Sequence, residues 1–132
     1  MAQENVEIVR DMYEAFNRGD VETAWDLMHP DAELHQPPEV PDSDSYYGRE
    51  EWARGFYRWF SEFDEPHFEP QEATEAGEHV IMRVCVSGKG RTSGISTTAE
   101  FFHAWTMRYG MPHRCIVRSS RAEALEAVGL KE

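Results

Sequence analysis

Two short helical patterns, an aromatic-rich third and then a run of hairpin-linked strands predict an α+β fold. A curved antiparallel or mixed sheet is expected to form a cone-shaped barrel, covered by three N-terminal helices, with a short helix closing the C-terminus. Three observations carry this. Apolar residues recur at helical spacing up to Phe63, the period then changes to two, and glycines punctuate the later segments where hairpins should turn. Such a sheet must bury one face, and three amphipathic helices are available to cover it.

The elements follow in order. Val6, Val9, Tyr13 and Phe16 mark the first helix, with Asn5 as its expected cap and Gly19 past its end. Asp20 caps a second, whose apolar side is Val21, Ala24, Trp25 and Met28 and which His29-Pro30 stops. Ala32–Gln36 reads as a strand, and residues 37–47, with three prolines, as a loop. Arg49–Phe63 gives the strongest helix, with Trp52, Phe56, Trp59, Phe60 and Phe63 on one face and Glu65-Pro66 as its stop. Strands are expected at Phe68–Thr74, His79–Ser87, Ile95–Tyr109 and His113–Ser119, with a glycine loop from Gly88 to Gly94. Arg121–Val128 is the last helix, ended by Gly129.

The 132 residues suit one domain, residues 1–132. Lysine and arginine number 13 against 25 acids, a net −12 that argues against nucleic acid and against an anionic membrane surface. The imbalance is local: residues 1–78 sum to −16 and residues 79–132 to +4. Cys85 and Cys115 sit in apolar strand-like runs without C-x-x-C spacing, which fits buried thiols in a reducing compartment. No apolar run reaches the ~18 residues of a membrane span, and the acidic start lacks a signal-peptide layout; a cytoplasmic location is expected.

Several strings resemble the SnoaL-like polyketide cyclase group of the nuclear transport factor 2-like superfamily, relatives of ketosteroid isomerase. They are Tyr13-Glu-Ala-Phe-Asn-Arg-Gly-Asp20, Leu27-Met-His-Pro-Asp-Ala-Glu33, Tyr47-Gly-Arg-Glu50, Ala104-Trp-Thr-Met-Arg108 and Arg121-Ala-Glu-Ala-Leu125. The resemblance implies a homodimer through the outer sheet face and an apolar pocket with one or two acid/base groups. In the steroid isomerases proton transfer uses a carboxylate base near the first strand and an oxyanion hole formed by a tyrosine and a protonated acid. By approximate register the tyrosine position falls on Met12 beside Tyr13, the base position on Gln36 beside His35, and the protonated acid near His103. None keeps its chemical type, so steroid isomerisation is not expected. The late-strand acid of the cyclases is replaced by Arg118 and Ser120.

Three side chains are candidates for chemistry. His103 lies among the apolar odd positions of its strand, where an imidazole could act as acid or base or simply line the core. His35, near the end of the first strand, could abstract a proton alpha to a carbonyl, or face solvent. Arg118 could hold an enolate or carboxylate in the pocket, or pair with an acid on the surface. Tyr13, Trp52, Phe56, Tyr57, Trp59, Phe101 and Trp105 are the expected lining of a site for a small hydrophobic molecule. No pair of the six histidines shows ligand spacing on one element, so neither metal nor cofactor is expected. Two functions stay open: a cofactor-independent isomerase or cyclase acting by proton transfer on a hydrophobic carbonyl compound, and a non-catalytic dimeric ligand-binding or interaction module.

Overall fold

The structure, a computed structural model, describes residues 2–36 and 45–130, without the side chains of Ala2, Gln3, Trp59 and Phe60. Its elements are α1 (Ala2–Asn17), α2 (Val21–Leu27), β1 (Glu33–His35), β2 (Ser45–Tyr47), α3 (Arg49–Phe60), β3 (Phe63–Ala76), β4 (His79–Gly90), β5 (Ser96–Arg108), β6 (Met111–Arg118) and α4 (Arg121–Ala127). The six strands form one mixed sheet in the order β2-β1-β6-β5-β4-β3. Only the β1–β6 pair is parallel; the others are antiparallel. The expected α+β class is borne out, and the sheet curves around its helices as an open cone with β2 and β3 at its edges.

The family-like strings act as joints. Asn17 closes α1 by clamping β3 at two points, donating from Nδ2 to the Phe68 carbonyl (2.7 Å) and accepting the Phe68 N–H at Oδ1 (2.9 Å). Gly19 follows at φ +83°, and Asp20 caps α2 by accepting from the Thr23 N–H and hydroxyl. The Arg49 guanidinium donates to the carbonyls of Trp25 (3.0 Å) and Met28 (3.3 Å), so the start of α3 satisfies the end of α2. At Gly55 an added Cβ would lie 2.5 Å from Cζ of Tyr46, so the missing side chain lets the β2 tyrosine lie against α3.

Several boundaries differ from those read off the sequence. Helix α1 begins at Ala2, which makes Asn5 an interior residue rather than its cap. Helix α3 ends at Phe60, and Phe63 opens β3 instead of closing the helix face. Glu65-Pro66 lies inside β3, where Glu65 takes φ +50° and the register with β4 shifts. An edge strand tolerates both Pro66 and Pro70 there, because no further strand pairs with that edge. Strand β4 continues through Gly88 to Gly90, so the expected glycine loop is shorter. Of the expected loop at 37–47, Ser45–Tyr47 is strand, while 37–44 lie outside the described residues.

Two apolar layers result. Helices α1, α2 and α3 cover the inner sheet face with Val9, Met12, Tyr13, Ala24, Trp25 and Trp52, which meet Val80, Met82, Val84, Trp105, Met107, Cys115 and Val117. Helix α4 covers part of the outer face, where Ala124 and Leu125 meet Ile81, Ala104 and Ile116. Among the described residues no helix is long and apolar enough to cross a membrane.

Candidate functional site

The alternation on β5 places Phe101, His103, Trp105 and Met107 on the inner face, with His103 8% exposed. Helix α1 delivers Tyr13 onto that row. Its hydroxyl lies 2.6 Å from His103 Nδ1 and accepts from Trp105 Nε1 at 2.9 Å. The indole N–H can only donate, so the phenolic oxygen accepts from it, and we assign the phenol's own hydrogen to Nδ1. The imidazole proton then resides on Nε2. Among the described residues nothing hydrogen-bonds Nε2 of His103.

Burial sets the protonation of this chain. With no carboxylate beside it among the described residues, desolvation pushes the His103 pKa down to about 4, so the ring is neutral at neutral pH. Burial likewise raises the Tyr13 phenol well above its ordinary value, with a smaller contribution from Cys115 in the same direction, and raises the Cys115 thiol. All three groups are therefore uncharged near pH 7.

Aromatic rings enclose the chain. Trp105 stacks on Trp52 with centroids 5.8 Å apart, and Phe68 lies 6.2 Å from Tyr13 and 6.4 Å from His103. Phe16 stacks on Phe56 at 4.7 Å, and Trp25 meets Phe16, Trp52 and Phe56 edge-on. Trp25 Nε1 is buried here and meets no acceptor among the described residues.

The remaining candidates do not converge on this interior. In β6, Cys115 and Val117 point inward, so Arg118, paired with Phe102, lies on the outer face and donates to the Val117 carbonyl at 2.9 Å. This corrects its expected place in the pocket. The sequence obscured the parity because Cys115-Ile116-Val117 is apolar on both faces, Ile116 being covered by α4. His35 pairs with Ile116 and also faces outward, where its Nε2 meets Glu33 at 2.8 Å and its Nδ1 meets Ser45 at 3.1 Å. Tyr57 is half exposed, in contrast to its expected place in the lining. Trp52, Phe56 and Phe101 pack with the inner cluster, whereas the Trp59 side chain lies outside the described ones. What sequence reasoning missed is the Tyr13–His103–Trp105 link, whose members are 90 and 92 residues apart.

Surface clefts also form among the described residues. One, of about 400 Å³, lies between β2 and α3 and is lined by Tyr46, Glu51, Arg54 and Arg58. Another, of about 370 Å³, lies at the end of the sheet below the last turn of α4. Among the described residues no group of three or more His, Cys, Asp or Glu is placed to hold a metal ion.

The SnoaL-like domain family matches residues 9–111. The chain belongs to this family. No curated protein matches it. Solved structures share its fold at low identity. One is an NTF2-like protein of unknown function from Burkholderia pseudomallei, with 22% identity, 96% of this chain and 98% of that chain covered, and a TM-score of 0.78. Another is TerC, co-crystallised with polyporic acid, with 23% identity, coverage of 93% and 96%, and a TM-score of 0.77. A third is IdmH of Streptomyces antibioticus, a proposed polyketide cyclase, with 23% identity, coverage of 96% and 99%, and a TM-score of 0.74.

Proposed function

We propose that this SnoaL-like domain binds a small hydrophobic carbonyl compound inside the cone, where neutral His103 donates its Nε2–H to the carbonyl oxygen. The observation that carries this is the buried Trp105–Tyr13–His103 chain: with the phenol donating to Nδ1, the imidazole carries its proton on Nε2, a donor without a protein acceptor among the described residues. The unpartnered Trp25 indole N–H in the same aromatic cluster supports an acceptor-bearing guest. A neutral donor in this aromatic interior polarises a carbonyl and acidifies the adjacent carbon, whose proton passes to water, a step shared by isomerisation and aldol cyclisation. The raised Tyr13 pKa opposes a full relay through the phenol, so His103 acts as a hydrogen-bond donor rather than by surrendering its proton.

The test pairs binding with exchange. 2-Tetralone, an enolisable aromatic ketone, and polyporic acid are titrated while tryptophan fluorescence is followed. Deuterium uptake at the alpha carbon of 2-tetralone is followed by NMR. Quenching that His103→Phe weakens about tenfold, the size of one buried hydrogen bond, is the expected result. A second reading, a non-catalytic interaction module, is favoured by the mutual stacking of Trp52 on Trp105 and by the outward placement of His35 and Arg118. Absence of both quenching and exchange would select it. In either reading we infer a homodimer through the part of the outer face that α4 leaves open; a monomer in light scattering at micromolar concentration removes that inference.

A further inference from the structure

The cleft at the end of the sheet lies outside the cone, and its chemistry differs from that of the interior. Register places Glu33 of β1, Arg114 of β6, Thr106 of β5 and His79 of β4 in one row across the outer face. Arg108 and His113, flanking the β5–β6 turn, close the row, together with Glu78, Ala127 at the end of α4 and Val128 just past it. The enclosed space is about 370 Å³, near the lower end for small-molecule sites.

Three observations point to an oxyanion. Arg114 Nε is buried and meets no acceptor among the described residues, a costly state for a cationic donor. Neither Arg108 nor Arg114 makes an ion pair among the described residues, whereas Arg18, Arg83 and Arg91 each do. His113 has its pKa lowered first by burial and then by Arg108, His29 and Arg114, against one opposing carboxylate, Glu33; the field at the ring is therefore positive. The acids present do not cancel this. Glu33 Oε1 is already engaged by His35, and Glu78 is exposed at the rim.

We propose that this cleft binds a small molecule bearing an oxyanion, a carboxylate or a phosphate monoester, that also carries hydroxyl groups. Arg114 and Arg108 take the oxyanion, with guanidinium geometry suited to two-point pairing. Thr106, bonded to His79 at 3.1 Å, and the free edge of Glu33 take the hydroxyls. The site stands apart from the cone, because Arg114 faces outward while Cys115 beside it faces the interior.

Inorganic phosphate and L-malate are the probes, titrated separately into the full chain by calorimetry and followed in histidine NMR spectra. Binding of either, weakened about tenfold or more by Arg114→Gln and by Arg108→Gln, is the expected result; which probe binds tells the two oxyanions apart. Arg108 is exposed, so its variant tests the site even if Arg114→Gln fails to fold. Lys89→Gln, exposed on β4 outside the cleft lining, should leave binding unchanged. No heat or shift with either probe at ~10 mM, weaker than any useful small-ligand affinity, overturns the proposal. So does binding that neither arginine variant alters.

Discussion

The two faces of the sheet use the same side-chain types in opposite ways. On the inner face an imidazole, a phenol and an indole are buried together and kept neutral; His103 meets Tyr13 rather than an acid. On the outer face imidazoles and guanidiniums meet carboxylates in partial solvent: His35 with Glu33 at 2.8 Å, Arg83 with Glu100 at 2.7 Å. The contrast teaches that depth, more than residue type, decides what these groups can do. A buried neutral imidazole offers a fixed donor, at a cost in hydration that the surrounding rings must offset, whereas a surface imidazole in a screened pair specifies little. Substitutions on the inner face should therefore be expensive, and those on the outer face cheap.

The largest effect is expected at Trp105, which is 2% exposed, stacks on Trp52 and donates to Tyr13. Trp105→Ala should cost about 3–5 kcal/mol, the range for truncating a buried aromatic, read as a lowered urea midpoint. Next comes Tyr13→Phe, which leaves His103 Nδ1 and Trp105 Nε1 without their partner while keeping the ring. A loss of roughly 2–3 kcal/mol is expected, since unpaired buried polar groups carry the full desolvation penalty. Adding His103→Phe to that variant should cost less than the sum of the two single changes, because it removes one of the orphaned groups. Strict additivity would mean that the hydrogen-bonded chain is not a unit.

The inner face should also declare itself in the pH dependence of stability. Folding lowers the His103 pKa from 6.5 to about 4, so between those values the unfolded chain binds more protons than the folded one. Stability then rises with pH through that window, and it falls as the solution is acidified from pH 7 toward 5. The loss over those two units should be roughly 2 kcal/mol, from ~1.4 kcal/mol per pH unit below the unfolded pKa. His113, also lowered, adds in the same sense, so the part owed to His103 is the part that His103→Phe removes. An unchanged slope in that variant would place the titration elsewhere.

Much of the inner face was legible in the sequence, because one period governs it: the odd positions of β5, the stripe of α1, and the stop-and-cap Asn17-Arg-Gly-Asp20. What was not legible is of two kinds. Side-chain partners across 90 residues depend on how α1 is set against β5, which Asn17 and Phe68 fix through hydrogen bonds that leave no pattern in a linear sequence. The parity of β6 was hidden for a different reason. Helix α4 buries Ile116 from the outside, so both faces of the strand are apolar and Arg118 could be read either way. The same masking concealed the outer cleft, since Arg114 and His113 gain their meaning only from α4 and the β5–β6 turn beside them.

The smallest effect separates the faces most sharply. Arg83 gives Glu100 two hydrogen bonds, from Nε at 3.0 Å and Nη2 at 2.7 Å, and lies 3.9 Å from Glu72, the best-connected ion pair on the outer face. By bond count it rivals the Tyr13 chain, yet its side chains are 40% and 46% exposed. Water and salt screen the attraction, and ordering two long side chains offsets most of what remains. Arg83→Gln should therefore unfold at the same urea concentration as the parent within error, at low and at high salt, and with the same tryptophan emission. If it instead approached the loss seen for Tyr13→Phe, hydrogen-bond number rather than depth would govern this sheet. The outer face would then have to be counted as a second polar core rather than as surface.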